Sequence, residues 1–244
     1  MADSKRRVET IENRWDILYR DYPEVYDEFA GVPYDPPMIE VLHGLFDFRG
    51  KKVVDIGSGS GRSTFPIAAY AEHVIGVEPE ASMRKIAEEK AKKQGVNNVS
   101  FVDGYAEDIP LDTGSVDMVV AITATMYPPE KEIPRFVEEA ARVVRGGGAV
   151  VSVDVAPGWY GGELAHIIDD PDADPERQTK HRLFVDEHGF SYMDVDQVSM
   201  YGSTEKILGT YGFIFGRKAI EHLRKSGQTS ITWRFRVYQK RIEK

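Results

Sequence analysis

The chain has 244 residues, 41% of them hydrophobic, which is enough for one sizeable core, and no repeat or low-complexity block divides it into smaller units. Lys and Arg number 31 against 40 Asp and Glu, a formal charge of -9 that disfavours a nucleic-acid partner held by counterion release. There is no cysteine, which removes disulfides, thiolate metal sites and any covalent route through a cysteine nucleophile, carbon-5 pyrimidine chemistry included.

In chain order, the amino terminus "MADSKRRVETIENRW" is charged and lacks an apolar core segment, and no run approaches bilayer length, so the reading is a cytoplasmic protein without a membrane partner. "TIENRWDILYRDYPEVYDEFAG" reads as one or two amphipathic helices rich in tyrosine, and "DPPMIEVLHGLF" as another entering the first strand. Apolar β-branched runs then alternate with segments of helical period, the pattern of βαβ units around a parallel sheet. Strands are expected at Val53–Ile56, Val74–Glu78, Val99–Asp103, Val116–Ile122 and Gly148–Val155. Helices are expected at Arg62–Ala71, at Ala81–Gln94 ending at Gly95, and at Glu132–Val144 ending at "GGG". Pro66 is compatible because it falls in the first turn of its helix. Farther on, "DDPDADPER" reads as a solvated acidic loop and "SYMDVDQVSM" as a strand. "STEKILGTYGFIFGRKAIEHLRKSG" reads as a helix interrupted near Gly212, and "TSITWRFRVYQK" as a strand with Ile231, Trp233, Phe235 and Val237 on one face.

The stretch with most chemical content is "VVDIGSGSGRST", residues 53–64, a strand running into three glycines spaced one apart. Glycine at that density costs backbone entropy, and a glycine-rich turn between strand and helix lets backbone approach a nucleotide-like ligand. The dinucleotide fingerprint G-x-G-x-x-G/A fails in both registers: from Gly57 the sixth residue is Arg62, and from Gly59 it is Thr64. What remains is an acidic residue two places before the first glycine, D-x-G-x-G-x-G over Asp55, Gly57, Gly59 and Gly61, with Ser58 inside the turn. A second feature is "VIGVEPEASM", where an apolar strand ends in Glu78 and meets Pro79. A carboxylate at that strand tip faces the same crevice as the glycine turn and can accept two hydroxyls at once.

These residues resemble motif I and the second-strand acidic position of the class I S-adenosylmethionine-dependent methyltransferases. The likeness runs over most of the chain, with its specific motifs between residues 53 and 123. It implies an α/β fold: a doubly wound, mostly parallel seven-stranded sheet, Rossmann-like, with a final antiparallel strand beside the fifth that gives "ITWRFRV" its place. It further implies one domain over 1–244. In it, 1–50 is a helical lid, 51–155 the cofactor-binding core, 156–200 a substrate-side insertion after strand 5, and 201–244 the terminal helix and strand.

The cofactor implied is S-adenosyl-L-methionine. Under the resemblance Asp55 accepts from its ammonium or ordered waters, Glu78 takes both ribose hydroxyls, and Met83 packs near the adenine. The backbone at Tyr105, Ala106 and Glu107, in "FVDGYAEDIPLDTGSVDMVV", reads the adenine edge, although many members carry aspartate where Tyr105 stands. Pro79 and Thr123 complete the cofactor set. Singly, Asp55 also suits a cap, Glu78 a surface charge and Met83 the core. "AITATMYPP" lacks the Asn/Asp-Pro-Pro-aromatic motif used on base amino groups, and the "DPP" at Asp35 to Pro37 reads as a turn before a helix. A small-molecule acceptor is therefore expected, reached largely by proximity and in-line orientation. Trp15, Tyr19, Tyr22 and Tyr26 on the leading helices suit either a lid over a sulfonium or plain core, and Tyr127 joins the candidate acceptor wall. His166, His181 and His188 lie in the insertion, and none is assigned as a base. The competing readings are a protein of the same fold that binds cofactor without turnover, acting as a regulatory partner, and a dinucleotide-dependent oxidoreductase.

Overall fold

A computed structural model describes residues 9–34, 37–124, 126–168 and 173–243. The leading helices are α1 (Trp15–Asp21), α2 (Pro23–Tyr34) and α3 (Pro37–Leu45). Asp35 and Pro36 of the "DPP" turn lie outside the described residues, and Pro37 opens α3. The alternating region follows: β1 (Lys52–Ile56), α4 (Thr64–Ala68), β2 (His73–Val77), α5 (Ala81–Gln94), β3 (Val99–Val102), β4 (Val116–Ile122), α6 (Pro129–Val143) and β5 (Val144–Val155). After it come α7 (Ala165–Ile168), α8 (Ala173–Arg182), β6 (Ser191–Met200), α9 (Thr204–Ile207), α10 (Phe213–Phe215), α11 (Arg217–Ser226) and β7 (Ser230–Arg241).

The strands form one seven-stranded sheet in the order β3-β2-β1-β4-β5-β7-β6. β1 pairs in parallel with β2 and β4, β2 with β3, and β4 with β5, while β7 runs antiparallel to β5 from Ala149↔Arg241 to Val155↔Phe235. The central strands are apolar on both faces because helices cover a parallel sheet on both sides. On α6, Ile133, Phe136, Val137 and Ala140 recur at helical spacing and pack into a core with Val54, Ile56, Val119, Ala121 and Val150.

Several boundaries move for local reasons. The helix expected over Arg62–Ala71 is regular only over Thr64–Ala68. α6 starts at Pro129 rather than Glu132, since proline at the first helical position and Glu130 and Glu132 in the first turn favour an early start. β5 begins at Val144, and the three glycines bulge within it instead of closing a helix. The "DPER" of the expected loop is helical in α8, where Asp174 and Glu176 occupy the first turn; residues 169–172 lie outside the described set. The carboxyl-terminal helix does not break at Gly212, which lies in a π-helical turn over Leu208–Gly212, but at Gly216, whose φ is 101°.

The residues divide into two compact units. One comprises Met1–Pro33, Gly158–Pro171 and Asp196–Arg234; the other, Tyr34–Pro157, Asp172–Val195 and Phe235–Lys244. The expected insertion, 156–200, is shared out between them. The first unit is built on aromatic rings: Trp15, Phe29, Tyr211, Phe215 and Trp233 meet at centroid separations from 4.6 Å to 6.2 Å. The second contains β1 to β5 and their helices, with α8 held by buried Lys180, whose ammonium lies 2.8 Å from Asp154 and 2.9 Å from Glu176. Among the described residues no helix is long and apolar enough to cross a membrane.

Candidate functional site

The carboxyl ends of β1, β2, β3 and β4 carry the residues singled out from the sequence, all within the second unit. Gly57, Gly59 and Gly61 have φ of 68°, 52° and 87°, the left-handed region where side chains are strained. At Gly61 the protein itself requires glycine, because a Cβ would stand 2.4 Å from the Phe65 ring. At Gly59 a Cβ would meet nothing within 4 Å, so this glycine presents bare backbone to open space. The turn is tied to β2 by Gly57 N–H and Ser58 N–H, both donating to the Val77 carbonyl, at 2.9 Å and 3.3 Å.

Glu78 stands at the tip of β2 and is 8% exposed. One carboxylate oxygen accepts from Gly59 N–H at 2.9 Å and the other from Glu80 N–H at 3.0 Å. Each oxygen keeps further acceptor capacity, so a vicinal diol can still be received. Asp55 differs from its expected place. It is fully buried beneath the turn, with one oxygen accepting from the hydroxyls of Ser63 (2.7 Å) and Thr64 (2.6 Å) and the other unpartnered among the described residues. Burial pushes its pKa up from 3.8 to about 6, against the two hydroxyls and helped by the nearby Glu78 charge. Asp55 thus fastens the start of α4 from below, the cap-like role, instead of facing the crevice. The Ser58 side chain is buried as well and its hydroxyl lacks a partner among the described residues.

Beyond Glu78, Pro79 and Met83 are half-buried. Tyr105 and Asp108 exchange backbone hydrogen bonds at 3.4 Å and 3.2 Å, a tight turn that leaves the Tyr105 ring exposed and Ala106 and Glu107 half-buried. Thr123, directly after β4, has φ 49°, an uncommon conformation for a β-branched residue, and its N–H donates to the Val153 carbonyl at 2.7 Å. Tyr127 is exposed.

Sequence reasoning missed Arg84. Its Nη1 lies 2.6 Å from the Glu78 carbonyl, 2.8 Å from the Pro79 carbonyl and 3.0 Å from the Asp103 carboxylate, joining the tips of β2 and β3. A cation in the first turn of a helix opposes the helix dipole, and that anomaly was the available signal.

The leading aromatic residues lie in the first unit. Trp15 packs edge-on against Phe29 and Phe215 in the first unit, and its indole N–H donates to Asn13 and to the Tyr160 hydroxyl. Tyr22 meets Phe213 edge-on, Tyr26 is half-buried, and the Tyr19 side chain lies outside the described residues. His166 is exposed, and His188 is half-buried with its Nε2 unpartnered among the described residues. His181 contacts Arg236 through Nδ1 at 3.1 Å and packs against Tyr192, and burial followed by the Arg236 charge moves its pKa down.

Residues 53–148 match a family profile described as a methyltransferase domain. The span holds the glycine turn, Glu78, the Tyr105 turn and Thr123. Over this span the chain is similar to methyltransferase domains, and the match supports the class I S-adenosylmethionine-dependent methyltransferase family. It is 32% identical over 103 residues to an uncharacterized methyltransferase, YcgJ, of Bacillus subtilis, covering 42% of this chain and 40% of that protein. It is 27% identical over 165 residues to an uncharacterized protein, Rv1403c, of Mycobacterium tuberculosis, covering 67% of this chain and 58% of the other. The chain thus spans about half the length of these relatives. In structure it is similar to crystalline YcgJ, with TM-score 0.59 and 21% identity over 83% of this chain and 97% of that one, a likeness of fold. The class I methyltransferase sheet, with its last antiparallel strand beside the fifth, is the one seen here.

Proposed function

We propose that this chain transfers a methyl group from S-adenosylmethionine to a small-molecule acceptor. The observation that carries the reading is the pairing of Glu78 with the Gly59 N–H beside the open face of Gly59: a bound, oriented carboxylate next to bare backbone. That set suits an adenosine ribose, whose two hydroxyls need acceptors, and a flexible chain, which needs room where a side chain would stand. When bound, S-adenosylmethionine supplies a sulfonium-activated methyl group.

The protein's share is to bind, orient and exclude water. Glu78 receives the ribose hydroxyls; Gly57, Ser58, Gly59 and Gly61 shape the turn; Pro79 and Met83 flank the adenine, with the Tyr105–Glu107 backbone at its edge. Asp55 and Arg84 hold these elements from behind, and Thr123 closes the β4 side. The exposed Tyr127 ring is the proposed contact to the acceptor. The formal charge of -9 and the lack of cysteine favour a small acceptor over nucleic acid.

Calorimetric titration with S-adenosylmethionine and with S-adenosylhomocysteine tests the reading. Micromolar binding of both is expected, followed by transfer of labelled methyl when metabolites are screened. Binding of neither would overturn the cofactor assignment, and binding of NAD in their place would revive the oxidoreductase.

A further inference from the structure

The opposite pole of the sheet holds a second concavity that the proposed function does not use. It lies wholly in the second unit, at the start of β1, β4 and β5 and the end of β7, and has a volume of 700 Å³, within the range of small-ligand sites. The bulge in β5 makes it: the β4 pairing jumps from Val116↔Val144 to Met118↔Ala149, so Arg145–Gly148 loop out opposite Asp117. Glycine is required at 148, where a Cβ would stand 2.3 Å from the Asp117 carbonyl.

Four cations line the hollow, Lys51, Arg145, Lys240 and Arg241, against two carboxylates, Asp47 and Asp117. Both carboxylates are already engaged. Asp117 is buried and accepts from Lys52 N–H at 2.9 Å, pairs with Arg145, and lies 4.0 Å from Lys51. Asp47 is held by Arg49, which draws its pKa down. Among the described residues Lys240 gives one hydrogen bond, to the His188 carbonyl at 2.6 Å, and lies 5.8 Å from the centre of the Phe190 ring, while the Arg241 side chain has no partner. On a chain of net charge -9 this is a concentrated positive surplus in a largely polar hollow, with Leu45, Phe46 and Met118 forming an apolar patch on one part of its wall.

We infer that this hollow is a second ligand site, for a small organic oxyanion in which a carboxylate or phosphate is joined to an apolar group. The oxyanion meets Arg241 and Lys240, and the apolar part lies against Phe46 and Met118.

The full-length protein is titrated by calorimetry with phenyl phosphate, benzoate and benzyl alcohol, with and without saturating S-adenosylhomocysteine. One-to-one, saturable binding of at least one anion is expected, unchanged by S-adenosylhomocysteine and absent for benzyl alcohol; which anion binds tells phosphate from carboxylate ligands. Arg241→Gln weakens it about tenfold, the loss of one charge-assisted contact, and its melting temperature stays at the wild-type value; Lys240→Met is the second variant. No saturable binding of either anion, equal binding of benzyl alcohol, competition by S-adenosylhomocysteine, or undiminished binding in both folded variants would each overturn the inference. The result is independent of the cofactor titration, which reads the other pole of the sheet.

Discussion

Asp55→Asn isolates the energetic consequence of burying a carboxylate under the glycine turn. The side chain is wholly buried and its pKa rises from 3.8 to about 6, with burial the leading cause. Below pH 3.8 the group is protonated in the folded and unfolded chain alike, and its neutral form carries no penalty. Between 3.8 and about 6 the unfolded chain releases its proton first, so stability falls as pH rises; above 6 the loss is complete. At 1.36 kcal/mol per pH unit the loss comes to about 3 kcal/mol. Asparagine keeps an oxygen for the Ser63 and Thr64 hydroxyls and carries no charge, so it escapes this slope. Melting temperatures of both proteins from pH 4 to pH 7 provide the assay, and taking the difference cancels every other titrating group. About 2.4 kcal/mol of that loss falls between pH 4 and pH 7, so the variant should gain on the wild type by about 5–10 °C across the interval, at about 2–4 °C per kcal/mol for a chain of this size. A difference that stays constant with pH would show that Asp55 ionises freely in the fold, and the account of its burial would fail.

The other predictions concern the crevice. Glu78→Ala should weaken S-adenosylmethionine binding by about 1.5–3 kcal/mol, the range for hydrogen bonds to a charged group, and unchanged calorimetric affinity in a folded variant would remove the ribose assignment. Gly59→Val should abolish binding while the protein still folds, since the new side chain enters open space and its strain at φ 52° costs roughly 1–2 kcal/mol; retained affinity in a folded variant would refute the pose. Arg84→Met should weaken S-adenosylhomocysteine binding about tenfold or more, and Arg84→Lys should recover part of it, because Nη1 alone makes all three contacts. If methionine and lysine behave alike, Arg84 contributes no positioning through those carbonyls.

The alternating region was legible because its signals are local. Ala81–Gln94 forms over the expected residues since Gly95 caps it at φ 69°, a conformation glycine adopts freely. "SYMDVDQVSM" is the β6 strand as read, and the last three residues of "ITWRFRV", Phe235, Arg236 and Val237, pair with β5. What escaped depends on partners distant in sequence. The terminal helix breaks at Gly216, whose φ of 101° suits glycine, and a Cβ there would lie 2.5 Å from the Glu12 carboxylate, more than two hundred residues away in the chain. Asp55 pointed to a ligand by its motif position, yet the hydroxyls that claim it, on Ser63 and Thr64, are visible as partners only once the turn is folded. Trp15 read equally as lid or core, and in the fold its half-buried ring packs edge-on against Phe29 and Phe215, neighbours distant in sequence.

The polar groups at the strand ends are bonded to one another. Glu78 holds the glycine turn through Gly59, Arg84 holds the backbone of Glu78, and Asp103 takes the charge of Arg84. A carboxylate fixed by two N–H groups loses little rotamer freedom when hydroxyls are added, so more of their interaction appears as affinity. The same arrangement accounts for Thr123: a β-branched residue persists at φ 49° only where its surroundings determine the backbone, and here the Val153 carbonyl binds its N–H. Thr123 and the glycine turn thus place a strained backbone and pre-formed hydrogen bonds at the carboxyl ends of the strands, where an open α/β sheet receives its ligand. The apolar runs of β1, β4 and β5 supply the rigidity that keeps them there.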